Sequence, residues 1–187
     1  MSPVTSRPPP LPSAPVELVA VTRAARGVLT RLGQLFRYDL SASYRLPPNP
    51  DGTFNDRQTD LFLAGEDGHR AWLVYAGGHL AGYTITRSTD GGGRGIAAFL
   101  VVAAFRRSGV GRAAAAQVLA DVPGRWHIAF QDYNPGARPF WQHVATDAVG
   151  PAWRTYDDAP REGRPADSWI TFDTSVGASG PAGGAPC

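Results

Sequence analysis

The residues best placed to do chemistry gather in one short run, "FRRSGVGRAAAA", Phe105 to Ala116. Arg106 and Arg107 lead into Ser108, Gly109, Val110, Gly111 and Arg112, and an alanine run follows without a break. Alanine is the strongest helix former, so a cationic, glycine-rich turn stands at a helix N-terminus. There the first backbone N–H groups lack intrahelical acceptors, and the summed peptide dipoles present roughly half a positive charge. Glycine lets an anion approach the backbone with no Cβ in the way. The amides from Ser108 to Arg112, with the guanidinium groups of Arg106, Arg107 and Arg112, therefore predict a site suited to a pyrophosphate. A lone glycine pair is ordinarily only a turn. Three features argue for more: the buried apolar strand before it, the arginines, and the helix that begins at once. Two nucleotide motifs are excluded. The P-loop needs a lysine and the chain has none, while G-x-G-x-x-G fails because Ala114 stands where its last glycine belongs.

The elements that must hold this turn are legible in the apolar pattern. "VELVAVT", Val16 to Thr22, alternates as a strand. From Arg23 to Leu40 the apolar positions Val28, Leu29, Leu32, Leu35, Phe36 and Leu40 recur at spacings of three and four, giving a helix. Two proline breaks and "PDG" make residues 41–54 a loop. Ala71 to Tyr75 and Leu80 to Thr86, joined through "AGGH", form an antiparallel hairpin. "IAAFLVVAAF" lacks alternation and is expected as a strand covered on both faces. A helix from Gly109 to Leu119 and a strand from Trp126 to Tyr133 follow. Asn134 then caps a helix with Pro135 at its first position, and Pro139 shortens or distorts it. "AWRTY" and "SWITF" close the sheet.

Composition narrows the class. With 187 residues and 43% hydrophobic content, the chain suits one globular domain. Residues 1–15, with "PPPLP", read as a proline-rich tail, residues 16–174 as the domain, and residues 175–187 as a Gly/Ala/Pro tail. All 18 basic residues are arginine, yet the net charge is only +2 and the arginines are scattered among 16 acids, which argues against a nucleic-acid partner. The one cysteine, Cys187, permits neither an intramolecular disulfide nor a cysteine metal cage, and no metal site is expected. Neither a signal peptide nor a membrane span is recognisable, so a soluble cytoplasmic protein is expected. The sequence leaves a homodimer open.

R-x-x-G-x-G at Arg106, Gly109 and Gly111, after a buried strand and opening a helix, resembles the acetyl-coenzyme A motif of the GCN5-related N-acetyltransferase (GNAT) superfamily. "NPGARPFW" adds N-x-x-A-x-x-F-[YW] at Asn134, Ala137, Phe140 and Trp141. "LGQLFRYDLSASY", "DGTF" and "GHLAGYTITR" resemble the first helix, the loop after it and the central hairpin of a bacterial subgroup of acetyltransferases. The resemblance implies an α/β (α+β) fold with a mixed, mostly antiparallel sheet, flanked by helices and split like a V between Phe99–Val102 and Trp126–Asp132. Acetyl-coenzyme A would lie in the split, its arm bonding backbone at Leu100 and Val101, its diphosphate on the glycine turn, with Asn134 also at the coenzyme.

The activity implied is transfer of an acetyl group to an amine. Two departures leave a non-catalytic acyl-coenzyme A sensor or a scaffold as the alternative. Ala97 and Ala98 stand where many relatives carry a glutamate, and Trp141 stands where many carry a tyrosine. The remaining candidates for proton transfer are Asp132, Tyr133 and His127. His127 is otherwise a packed strand histidine, and Asp132 a helix cap. Tyr38 and Asp39 lie where such relatives wall the acceptor site. Tyr38 otherwise completes a hydrophobic cluster at the helix end, and Asp39 would attract a cationic amine.

Overall fold

The computed structural model describes residues 15–131, 134–158 and 167–175. In chain order the elements are β1 (Val16–Ala20), α1 (Arg26–Tyr44), α2 (Arg57–Ala64), β2 (Arg70–Ala76), β3 (His79–Thr89), β4 (Gly93–Val101), α3 (Val110–Asp121), β5 (Arg125–Phe130), α4 (Ala137–Val149), β6 (Arg154–Asp157) and β7 (Ser168–Asp173). The strands make one seven-stranded sheet in the order β1-β2-β3-β4-β5-β7-β6. Every neighbouring pair is antiparallel except β4 and β5.

Strand alternation decides which side chains each helix layer meets. On one face Leu29 and Leu32 of α1 pack with Leu73, Tyr83, Ile85, Ala98 and Leu100, and Phe62 and Leu63 of α2 join them. On the other face Val118 and Leu119 of α3 and Trp141, Val144 and Ala145 of α4 pack on Trp72, Trp126, Ile128, Ile170 and Phe172. Each such aliphatic side chain contributes about 1.5–3 kcal/mol by leaving water. No residue of β5, β6 or β7 joins the cluster under α1 and α2. Among the described residues, that face of the three strands carries no helix.

Several elements differ from expectation. α1 runs on to Tyr44, where Arg45 turns left-handed at φ 52 and ends it, so the expected loop begins later. α2 was not anticipated in the sequence pattern. Its helix is set by Asp56, whose side chain accepts from Thr59 N, and by Gly65 in the left-handed region. Asp56 and Thr59 are buried against α1, where a Cβ at Gly33 would collide with Asp56 Oδ2. α4 begins at Ala137 with Gly136 as its N-cap, two residues later than expected and without a side-chain cap from Asn134. Pro139 is then the third helical residue, where an N–H would have no intrahelical partner, so it leaves the helix intact. β4 is fully buried at Ala98 and Leu100 but only half-buried at Phe99 and Val101.

Gly33→Ala tests the α1–α2 contact. The added methyl must displace the carboxylate that caps α2, and a loss of about 1–3 kcal/mol is expected in urea unfolding. Unchanged stability would show that the two helices are free to move apart.

Candidate functional site

β4 and β5 meet at a single register pair, Arg94↔Trp126, and separate toward Val101 and Phe130. Val102 N donates to Ala81 O at 2.8 Å, so by antiparallel alternation the polar groups of Leu100 turn to β3 and those of Phe99 and Val101 to the gap. Leu100 therefore stands opposite Tyr83 in a complete ladder. The backbone facing the gap is that of Phe99 and Val101, which corrects the expected pair Leu100 and Val101. The register passes from Ile85↔Ala98 to Thr86↔Ile96, leaving Ala97 as a bulge without a partner in β3.

The α3–α4 side of the gap is filled with aromatic rings. The Phe99 centroid lies 5.6 Å from that of Phe140 and 5.4 Å from that of Trp141, and those two rings are 4.8 Å apart. Phe140 and Trp141 thus pack with Phe99 on that side, Trp141 as a buried core residue. Among the described residues no helix covers the opposite face of β5, β7 and β6, which leaves that approach open.

The glycine turn stands at the open end of the gap. Arg107 and Gly109 are left-handed, with φ 64 and φ 85, and α3 starts without a side-chain cap. Ala113 N donates to Gly109 O at 3.0 Å, whereas the amides of Val110, Gly111 and Arg112 find no acceptor among the described residues. Ser108 Oγ donates to Phe105 O at 2.7 Å, which closes the turn and leaves α3 without a side-chain cap from this hydroxyl. Nothing lies within 4 Å of the Cβ position at Gly109, so the space over the turn is open. Gly111 serves a different purpose, since a Cβ there would meet Phe140 Cε2 at 3.2 Å.

The three arginines are not equivalent. Arg106 donates from Nε to Val101 O at 2.7 Å and pairs with Asp39 of α1. Arg112 pairs with Asp147 of α4 at 2.6 Å. Arg107 is exposed and has no ion pair among the described residues.

The other expected site residues scatter. His127 is half-buried at the closed end of the gap, where a Cβ at Gly93 would lie 2.8 Å from its ring. Asp132 and Tyr133 lie outside the described residues. Asn134 is exposed, with its backbone bonded to Gln131 O and Ala137 N. Tyr38 is 67% exposed, so it completes no hydrophobic cluster. Asp39 is engaged by Arg106. Inside the core, burial and then the nearby Asp56 charge push the Tyr83 phenol far above its usual range, which keeps it neutral.

A strand edge lacking a sheet partner, with uncapped helix amides at its end, matches the needs of an extended amide-bearing arm that ends in a diphosphate. Residues 35–145 match the model of the Acetyltransferase (GNAT) family. The chain belongs to that family.

Solved structures carry the same fold. An acetyltransferase from Thermus thermophilus is 20% identical with TM-score 0.64, covering 87% of this chain and 99% of its own. The aminoglycoside acetyltransferase AAC(6')-Ib, in complex with coenzyme A and kanamycin, is 13% identical with TM-score 0.60, the coverage being 87% and 96%. A spermidine N-acetyltransferase SpeG chimera from Vibrio cholerae and hSSAT is 11% identical with TM-score 0.56, the coverage being 86% and 96%. No curated protein matches the chain. Within the GNAT fold, the parted strands are therefore β4 and β5, and α3 is the helix that carries the glycine turn.

Gly111→Ala checks the packing of this GNAT turn on its aromatic wall. A loss of about 1–2 kcal/mol is expected, shrinking in a Phe140→Leu background because the two positions touch. Strictly additive losses in thermal unfolding would contradict the contact.

Proposed function

We propose that this GNAT chain transfers the acetyl group of acetyl-coenzyme A to a primary amine of a small molecule or peptide. The observation that carries the proposal is the gap between β4 and β5. It offers unpaired backbone along one edge, anion-seeking amides at its open end and a bare sheet face for the second substrate. The coenzyme supplies an activated acyl thioester. The amides of Val110, Gly111 and Arg112, with Arg107, hold its diphosphate, while the Phe99 and Val101 backbone aligns the arm. Most of the protein's contribution is then positioning. The amine attacks the thioester carbon, the C–N bond forms as the C–S bond breaks, coenzyme A leaves as its thiolate and is protonated to the thiol, and the nitrogen gives up a proton. Ala97, Ala98 and Trp141 cannot take part in that proton transfer. Among the described residues of β5, His127 shares the acceptor face with Arg125, which is already protonated, but lies at the closed end of the gap, so solvent or His127 through solvent accepts the proton.

The same inert residues favour a second reading, an acyl-coenzyme A sensor that binds and does not turn over. A soluble cytoplasmic setting belongs to the proposal; no helix among the described residues is long and apolar enough to cross a membrane.

Thiol release from acetyl-coenzyme A across a panel of primary amines separates the two readings. Amine-dependent release is expected, whereas calorimetric binding without release would establish the sensor. Arg107→Ala should weaken coenzyme affinity about tenfold, since it removes a charge-assisted contact. Arg112→Ala, whose guanidinium is already held by Asp147, should cost less than about threefold. Equal losses at the two positions would show that the ion pair does not set availability.

A further inference from the structure

The edge of β4 that faces the gap is already occupied at one point, and the occupying group is held in place from another element. Strand alternation turns the polar groups of Val101 away from β3, so its carbonyl lies on the open edge. Arg106 Nε donates to that oxygen at 2.7 Å. Through Nη2 the same guanidinium pairs with Asp39 Oδ2 of α1, 67 positions away in the chain. One side chain thus joins the β4 edge, the turn before α3, and α1. Arg112 differs, since its Nε and Nη2 both go to Asp147. Arg106 is 47% exposed and Asp39 41%. A long exposed side chain loses rotamer freedom when it is fixed, and one anchor on a backbone oxygen holds it weakly. The second anchor on Asp39 concentrates it there, because the rigid fork of the guanidinium makes each bond orient the other.

We propose that Asp39 and Arg106 form a latch on the coenzyme edge. Asp39 is a positioning residue that holds the Arg106 guanidinium on the Val101 carbonyl, and the arm of the coenzyme takes that oxygen only when the guanidinium leaves it. The inference rests on the acetyl-transfer reading for the place of the arm along Phe99 and Val101. Without ligand, the guanidinium satisfies an edge carbonyl that the parted strands leave unpaired. With ligand, a neutral amide N–H displaces a charged donor, and charge-assisted bonds are the stronger kind. The latch therefore lowers affinity for the arm and ties it to the position of α1.

Pantetheine, the arm without its diphosphate, makes the test, because it is uncharged and feels no direct effect of the charge a variant adds or removes. Its binding to the full chain is followed by backbone amide chemical shifts, and that of coenzyme A by calorimetry. Pantetheine is expected to bind about fivefold tighter to Arg106→Leu and about threefold tighter to Asp39→Ala than to the native chain. Raising salt from about 0.05 M to about 1 M screens the exposed pair, so pantetheine should tighten about twofold on the native chain and not on Asp39→Ala. A pair that merely braces the turn would lose affinity on truncation or leave it alone, so a gain is the signature of the latch. Coenzyme A should also bind about threefold tighter to Asp39→Ala, a readout that stands even if Arg106→Leu is destabilised. Pantetheine affinity unchanged or weaker in both variants, while coenzyme A still binds, overturns the latch and shows that the second lone pair of the Val101 oxygen serves the arm. Pantetheine that shifts no resonance from Phe99 to Val101 in any of the three proteins overturns it as well. Absence of coenzyme A binding to the native chain overturns the acetyl-transfer reading and this inference with it.

Discussion

The structure turns on the separation of two parallel strands that share one register pair. A sheet gains by pairing every backbone group, so strands that part inside a sheet leave donors and acceptors unmet unless something else supplies partners. Here Arg94↔Trp126 holds the closed end. Phe99, Phe140 and Trp141 wedge the α3–α4 side, and bulky rings packed between strand and helix prevent the gap from closing into an ordinary ladder. One free group has already found a partner in the protein: the Val101 carbonyl accepts from Arg106. The rest of the Phe99 and Val101 edge has no backbone partner among the described residues.

The turn above the gap shows how charge is distributed between structure and ligand. Arg106 and Arg112 are tied by carboxylates to α1 and α4, so each links the turn to a neighbouring helix. Both pairs are about half exposed and contribute little to stability on their own; their effect is to fix where the turn sits. The positive character facing the open space then comes from the helix amides and Arg107. Among the described residues, a turn with three arginines thus presents one guanidinium, that of Arg107, without an ion pair.

Much of this was legible in the sequence because it is local. The glycine turn, the helix after it, the hairpin and the strand before the gap all follow from spacing within a few residues. α2 escaped because eight residues carry too little periodicity, although Asp56 and Gly65 at its ends are ordinary cap residues and were the available signal. The register error at Leu100 arose because apolar composition locates a strand without saying which residues face which neighbour. The pairs Arg106–Asp39 and Arg112–Asp147 join residues far apart in the chain, and no spacing rule reaches across that distance.

The central claim is that the gap and its turn receive coenzyme A as a surrogate strand ending on helix amides. Backbone amide chemical shifts, followed while coenzyme A is titrated into the full chain, test it most directly. The account expects the largest changes at Gly109 to Ala113 and at Phe99 to Val101. Changes confined to the outer groove between α3 and α4, around Ala116, Ala120 and Ala148, with those residues unmoved, would contradict it.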